Sequence, residues 1–143
     1  MIGGLTSVAS TWLSQARRDR AARRSQDIAR RQKLYNQFID EASKLYADAL
    51  MHDQAEISAL ASVYALIGRM RVLSSPAVIE TAEAAVQTVL DTYFAPNKTF
   101  PELRELTSRH AMDPLRAFSE QCREDLSNPV PLLTLSLTKQ AIK

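Results

Sequence analysis

The stretch LYNQFIDEASKLYADAL, residues 34–50, decides the fold because its apolar residues recur with the spacing of an α-helix. They form two adjacent rows: Leu34, Phe38, Ala42, Leu45 and Ala49 in the first, and Tyr35, Ile39, Ala42, Tyr46 and Leu50 in the second. Spacings of three, four and seven residues make an apolar face wide enough for one side of a bundle core. The stretch therefore predicts a core helix.

The helix is expected to extend far upstream of this stretch. No helix-breaking residue occurs over residues 5–51, and a helix of that length is about 70 Å long, roughly twice the width of a small domain. Four arginines fall on the same helix face as Leu34 and Phe38: Arg17, Arg20, Arg24 and Arg31. A face that carries four arginines does not continue the same core. The bundle is therefore expected to end near residues 31–34, and a chain beginning at Lys33 is expected to fold.

Three more helices are expected downstream. Residues 53–56, Asp-Gln-Ala-Glu, have a capping-box pattern that begins the second helix. Ser75 as N-cap and Pro76 at the first helical position begin the third. A short helical turn is expected over residues 101–108, and Asp-Pro at 113–114 begins a last helix. Its apolar residues are Leu115, Phe118, Cys122 and Leu126. The predicted fold is all-α, an antiparallel bundle of about four helices with a long, amino-terminally extended first helix.

Composition agrees with one helical domain and shows an uneven charge distribution. The 143 residues are 45% hydrophobic with only three glycines, a composition that favours helices over sheets. Residues 17–33 carry eight basic and two acidic residues, whereas residues 34–143 carry ten basic and fourteen acidic ones. The predicted segments are an uncharged membrane-proximal segment (1–16), a basic helical extension (17–33), the bundle (34–126) and a tail without assigned structure (127–143). The single cysteine excludes an internal disulfide and fits a reducing compartment.

The first two segments together predict membrane contact. An uncharged, Trp-containing stretch followed by a dense basic stretch is typical of a membrane segment with a positive cytoplasmic flank. The predicted membrane-contact residues are Ile2, Leu5, Val8, Trp12 and Leu13. The predicted basic patch is Arg17, Arg18, Arg20, Arg23, Arg24, Arg30, Arg31 and Lys33. Sixteen residues fall short of the ~20 that a complete span needs. The anchor is thus weak and depends on the arginines, each of which contributes on the order of 1 kcal/mol near anionic lipid.

Two other interpretations of the basic patch remain open. It can be a solvated helix face with ion pairs Arg23–Asp27 and Asp27–Arg31 at helical spacing. It can also bind nucleic acid, although the absence of interleaved aromatic residues and of any DNA-binding motif disfavours this interpretation.

The residues needed for catalysis are missing from the sequence. His52 and His110 have no partner at metal-ligand spacing, and Cys122 lies on an apolar row. There is no glycine-rich phosphate loop, and the paired glutamates of the chain lack an accompanying Glu-x-x-His motif. The sequence predicts a protein that is not an enzyme, with no catalytic, cofactor-binding or metal-binding residue and no small-molecule substrate.

Four stretches resemble those of an uncharacterised family of small bacterial α-helical proteins. They are LYADAL at 45–50, YALIGRMRVLSS at 64–75, TYFAPN at 92–97 and FSEQCREDL at 118–126. The resemblance covers about residues 1–126. It implies an amino-terminal membrane anchor followed by a charged, helical cytoplasmic part, and it implies no activity and no site residues.

These observations predict a membrane-associated accessory protein at the cytoplasmic face of the inner membrane. Its expected partner is an anionic membrane surface, with an unknown protein or a second copy as a further partner. The alternative is a soluble cytoplasmic interaction module. Such a module would associate with itself through its long first helix or bind nucleic acid through its Arg-rich stretch.

Overall fold

The computed structural model describes residues 4–108 and 113–128, with only the backbone described for residues 4–7. Within these residues the chain forms five α-helices and no β-strand. The helices are α1 (Gly4–Met51), α2 (Ile57–Leu73), α3 (Pro76–Phe94), α4 (Phe100–Ser108) and α5 (Arg116–Ser127). The all-α class and the long first helix predicted from the sequence are confirmed.

Helix α1 changes character at Arg31. It runs unbroken for 48 residues, a length of about 70 Å, because neither glycine nor proline interrupts it. Residues 8–30 are exposed apart from the partly buried Ile28, and from residue 8 onward Arg31 is the first buried residue of the helix. We call residues 4–30 the extension; at 1.5 Å per residue it projects about 40 Å.

The core lies between four helices. α1 packs against α2, α3 and α5, and α3 packs against α2 and α5. The first predicted apolar row of α1 is buried along its whole length, and Tyr35 and Leu50 of the second row are buried beside it. Phe118 of α5 is fully buried and contacts the ring of Phe38, with the ring centroids 4.6 Å apart. Cys122 is buried in the same core, as its place on an apolar row predicted.

Helix boundaries agree with the sequence except at the starts of α2 and α5. The predicted start of the last helix at Asp113-Pro114 is wrong, because α5 begins at Arg116 with Leu115 as its N-cap. The predicted capping box of α2 is wrong, because Glu56 is the N-cap and makes no side-chain cap hydrogen bond. Its carboxylate instead accepts a hydrogen bond from Ser58 Oγ at 2.6 Å. The N-cap position of Ser75 and the first position of Pro76 are confirmed, although the Ser75 side chain makes no cap hydrogen bond.

Helix α4 stands apart from the core. Of the five described helices, it alone packs against none of the others, and it contains no buried residue. The loop that precedes it is fixed by a hydrogen bond from the Lys98 amide to the Leu50 carbonyl, 3.1 Å long. The predicted helical turn over residues 101–108 is thus a two-turn helix attached at the carboxyl end of α1.

Candidate functional site

The extension presents large apolar side chains to solvent. Val8, Trp12 and Leu13 are 54%, 71% and 65% exposed. Of the other predicted membrane-contact residues, Ile2 lies outside the described residues, and Leu5 is described only in its backbone. The exposed side chains belong to a continuous helix that no other described element covers at these positions, so they are accessible to a partner surface.

The arginines of the extension are exposed and carry no counter-charge from the rest of the described chain. No ion pair within the described residues involves the six arginines between residues 17 and 30. The pair Arg23–Asp27, expected for a simple solvated face, does not form. Arg17, Arg20 and Arg24 lie side by side on one face of the helix together with Ile28. Their charge is therefore available to an external anion.

Arg31 differs from the other members of the predicted basic patch because it is buried. Its side chain is 11% exposed, and its Nη1 lies 2.9 Å from Asp125 Oδ2, whose side chain is 1% exposed. The alternative pairing of Arg31 with Asp27 is thus wrong. Arg31 belongs to the bundle, whereas Lys33 is exposed two residues further along the helix.

Asp125 is the centre of a buried polar cluster at the junction of the extension and the bundle. Besides the Arg31 guanidinium, the Tyr35 hydroxyl donates to its Oδ2 at 2.6 Å. The backbone amide of Ser75 donates to its Oδ1 at 3.3 Å. The Tyr35 oxygen in turn accepts from Ser74 Oγ at 2.8 Å. We call these five residues the junction network.

The junction network ties together the ends of several helices. Ser74 and Ser75 form the connection between α2 and α3, Asp125 lies in the last turn of α5, and the remaining two members lie on α1. Asp125 also places a negative charge at the amino end of α3, where the helix dipole is positive. The Ser75 hydroxyl is buried without a hydrogen-bond partner among the described residues. Asp125 therefore accepts the N–H of the N-cap residue itself, as the N3 side chain does in a capping box.

The pKa values of Asp125 and Tyr35 are both shifted by the contacts within the junction network. Burial by itself raises the pKa of Asp125, but hydrogen bonds from Tyr35, Ser75 and Arg31 and the charge of Arg31 outweigh it, so the pKa is lower than the usual 3.8. Burial and the hydrogen bond to Asp125 raise the pKa of Tyr35. Asp125 is therefore ionised and Tyr35 protonated at neutral pH. The pair is part of the contact between α1 and α5.

Removal of the extension tests this junction. A chain that begins at Gln26 keeps Arg31, and we expect its free energy of unfolding to match that of the full chain. A chain that begins at Lys33 lacks Arg31, so water reaches Asp125 and about 1.5–3 kcal/mol of stability is lost, the range for hydrogen bonds to charged groups. Urea denaturation followed by circular dichroism measures both. Equal stability of the two shortened chains would contradict a stabilising role for Arg31.

His52 and Cys122 are the remaining described residues of a type that could take part in chemistry. His52 Nδ1 lies 2.9 Å from Asp48 Oδ1 at the exposed end of α1, whereas His110 lies outside the described residues. Burial raises the pKa of Cys122 to about 12, which leaves an unreactive thiol. In the part of the chain that the structure describes, no three His, Cys, Asp or Glu side chains are placed to hold a metal ion.

Over residues 4–108 and 113–128, none of the helices combines the length and apolar character that crossing a membrane requires. No family model matches the chain, and no curated protein or solved structure matches it. The extension and the junction network are therefore the features of the described chain that bear on its function.

Proposed function

We propose that this chain is a membrane-associated accessory protein without enzymatic activity, whose extension contacts an anionic membrane surface and whose helical body meets a protein partner. The observation that carries the proposal is the extension itself. It has exposed apolar side chains near its tip and six exposed arginines without ion pairs among the described residues. Near an anionic leaflet each basic residue contributes on the order of 1 kcal/mol.

The charge of the body supports one orientation of the molecule. From residue 34 onward, the described residues contain seven basic and fourteen acidic side chains. An acidic body is repelled by the lipid phosphates that attract the extension, so the molecule is oriented with the extension toward the lipid. A positive flank favours the cytoplasmic leaflet, and we place the protein at the cytoplasmic face of the inner membrane.

The body is proposed to be an antiparallel four-helix bundle of α1, α2, α3 and α5. Tyr35, near the start of the bundle part of α1, bonds Ser74 directly after α2 and Asp125 near the end of α5. Asp48, near the end of α1, accepts a hydrogen bond from Tyr93 at the end of α3, 2.7 Å long. These bonds support α2 and α5 running opposite to α1, with α3 parallel to it.

The position of the arginines constrains how the extension meets a flat surface. At 100° per residue, Arg20 and Arg24 share a helix face with Leu34 and Phe38, against which the other helices pack. The bundle thus reaches about 15–20 Å beyond α1 on that side, at helix spacings of 8–10 Å. An extension of about 40 Å cannot lie flat with this face toward lipid. It meets the membrane at roughly 20–25° or more, with its apolar tip first.

Binding to lipid vesicles tests the proposal. The full chain is expected to co-sediment with vesicles that contain phosphatidylglycerol and to remain in solution with phosphatidylcholine alone. The double variant Arg20→Glu/Arg24→Glu changes the net charge at the membrane side by four units, so binding should fall about 100-fold or more. Trp12 is the only tryptophan of the chain, and its emission is expected to shift to shorter wavelength on binding.

A matched variant separates local from overall charge. Lys44→Glu/Arg104→Glu produces the same change in net charge at exposed positions of the body that lie away from the junction. It is expected to change binding by less than about threefold, because charges beyond a Debye length are screened. If the full chain does not bind the anionic vesicles, or if both double variants lose binding equally, the proposed membrane contact is wrong.

A further inference from the structure

The outward face of α2 differs from the outward faces of the other core helices because its central residues are apolar or small. These exposed residues recur every three or four positions along the helix: Ile57, Ala61, Tyr64, Ala65, Gly68 and Val72, with Ser58 and Arg69 at one edge of the face. Ile57 and Val72 are each 82% exposed. The outward faces of α1, α3 and α5 are instead charged, with Asp40 and Lys44, Glu80 and Asp91, and Glu120 and Arg123. No described element packs over this face of α2.

Gly68 has no explanation within the chain. A Cβ atom added there would meet no atom within 4 Å, so nothing in the described structure excludes a side chain. Glycine inside a helix costs about 1 kcal/mol relative to alanine. A glycine at an exposed helix position does, however, allow another helix to approach closely. This residue therefore favours a helix as the occupant of the face.

The order of residues on this face is self-complementary. When a second α2 lies antiparallel, with the two-fold axis between Tyr64 and Ala65, Ile57 of each copy meets Val72 of the other. In the same arrangement Ala61 meets Gly68 and Tyr64 meets Ala65, so a tyrosine lies opposite a small residue near the axis and the larger aliphatic residues meet at both ends. A two-fold interface requires this kind of pattern, because each contact occurs twice.

The two ends of α2 carry opposite charges, which favours an antiparallel arrangement of α2 from two copies of the chain. The amino end of α2 is acidic, with Asp53 and Glu56, and its carboxyl end is basic, with Arg69 and Arg71. Arg71 bonds Glu83 of its own chain, whereas Arg69 has no ion pair among the described residues. Antiparallel packing brings opposite charges and opposite helix-dipole ends together, and parallel packing would bring like charges together.

We propose that two copies of this chain associate through the outward faces of α2, antiparallel, about a two-fold axis between Tyr64 and Ala65. The face is about 25 Å long, the length of a 17-residue helix. One helix face is a small interface, below about 1,200 Å² in total, so the dimer is weak and reversible. Because α1 runs along α2 in each copy, the two extensions leave the dimer in opposite directions.

Cysteine cross-linking tests the register. Two full-length variants, Ala61→Cys and Gly68→Cys, are mixed under mild oxidation, one of them carrying a tag that changes its size on a gel. The mixed disulfide is expected to form at least tenfold faster than either self-disulfide. Residues 61 of the two copies are separated by about 10 Å along the axis, beyond disulfide reach. The native chain is the blank, because Cys122 is buried. Equal rates for mixed and self-disulfides would overturn the proposal.

A charged substitution at the same face provides an independent measurement. Gly68→Glu has open space around its side chain and is expected to fold normally while losing self-association in sedimentation equilibrium. Ala84→Glu, at an exposed position of α3, is the matched control and should associate like the native chain. A native chain that stays monomeric to about 1 mM, the limit expected for a weak interface, would overturn the proposal. Equal association of Gly68→Glu and the native chain would do the same.

Discussion

Replacement of Asp125 by alanine is expected to lower the free energy of unfolding by about 3–5 kcal/mol, the cost of breaking a buried ion pair by removing one partner. The side chain accepts hydrogen bonds from Arg31, Tyr35 and the Ser75 amide. Its loss leaves a guanidinium and a phenol without their acceptor in a site from which water is largely excluded. Urea denaturation followed by circular dichroism measures the change.

Two further variants distinguish this mechanism from a general effect of charge. Glu124→Ala removes the neighbouring exposed carboxylate and is expected to change stability by no more than about 0.5 kcal/mol. The double variant Arg31→Met/Asp125→Leu removes both charges and should recover most of the stability, because apolar residues of similar volume often replace a buried ion pair well. Equal losses for Asp125→Ala and Glu124→Ala would show that the junction network does not stabilise the bundle.

The junction network also predicts a dependence on pH. The pKa of Asp125 is lower in the folded chain than its usual 3.8. Its contribution is therefore complete above the pKa of the unfolded state and is lost as the pH falls through the lower pKa of the folded state. The native chain should lose stability below about pH 4, the range in which carboxylates titrate. The difference in stability between the native chain and Asp125→Asn should shrink over the same range.

The periodicity of residues 34–50 was sufficient to predict the core face of α1, because a helix buries residues at fixed spacings whatever its partners are. The same reasoning identified Arg31 as a residue at the end of that face. It did not identify the partner of Arg31, which lies 94 residues away in the sequence. Local spacing contains no information about a pair formed only when α5 packs against α1. Local spacing therefore favours the nearby pairing with Asp27.

The position of Asp125 in the sequence indicates that its side chain is buried. Asp125 follows Phe118 by seven residues and Cys122 by three, so it lies on the buried row of α5. A carboxylate on an apolar row requires a buried partner. The run of charged residues from Arg123 to Asp125 concealed this, because a short charged run at the end of a helix is usually solvated. Burial of one member of such a run depends on helix phase rather than on composition.

The outward face of α2 shows the opposite limitation. Its sequence, ISALASVYALIGRMRVL, has apolar residues beyond those of one buried face, although Ser58, Ser62 and Arg69 form a polar row on one side. In the described structure only Val63, Leu66, Ile67 and Met70 of this helix are buried. The apolar excess is explained if a second surface covers the remaining face. The exposed apolar residues of α2 thus support the proposed contact with a second copy of the chain.

Replacement of Phe118 by alanine is expected to cost about 3–5 kcal/mol, the range for removing a buried aromatic side chain. Phe118 is 0% exposed and is the residue through which α5 enters the core. Its ring packs against Phe38 at 4.6 Å and edge-on against Tyr35 at 6.0 Å. No other aromatic side chain of α5 can fill the cavity, since Phe118 is the only one in that helix. Thermal and urea denaturation measure the loss.

The reactivity of Cys122 shows whether the loss is confined to α5. The thiol lies one turn after Phe118, and burial keeps its pKa near 12, so it should react slowly with a thiol reagent in the native chain. If Phe118→Ala weakens the docking of α5, the thiol reacts faster in conditions where the far-ultraviolet circular dichroism is still native. Phe94→Ala is the matched control, because Phe94 is 88% exposed. Unchanged stability and thiol reactivity in Phe118→Ala would mean that α5 is not part of the bundle core. Such a result would remove the physical basis for the junction network, because Asp125 reaches Arg31 only when α5 is docked.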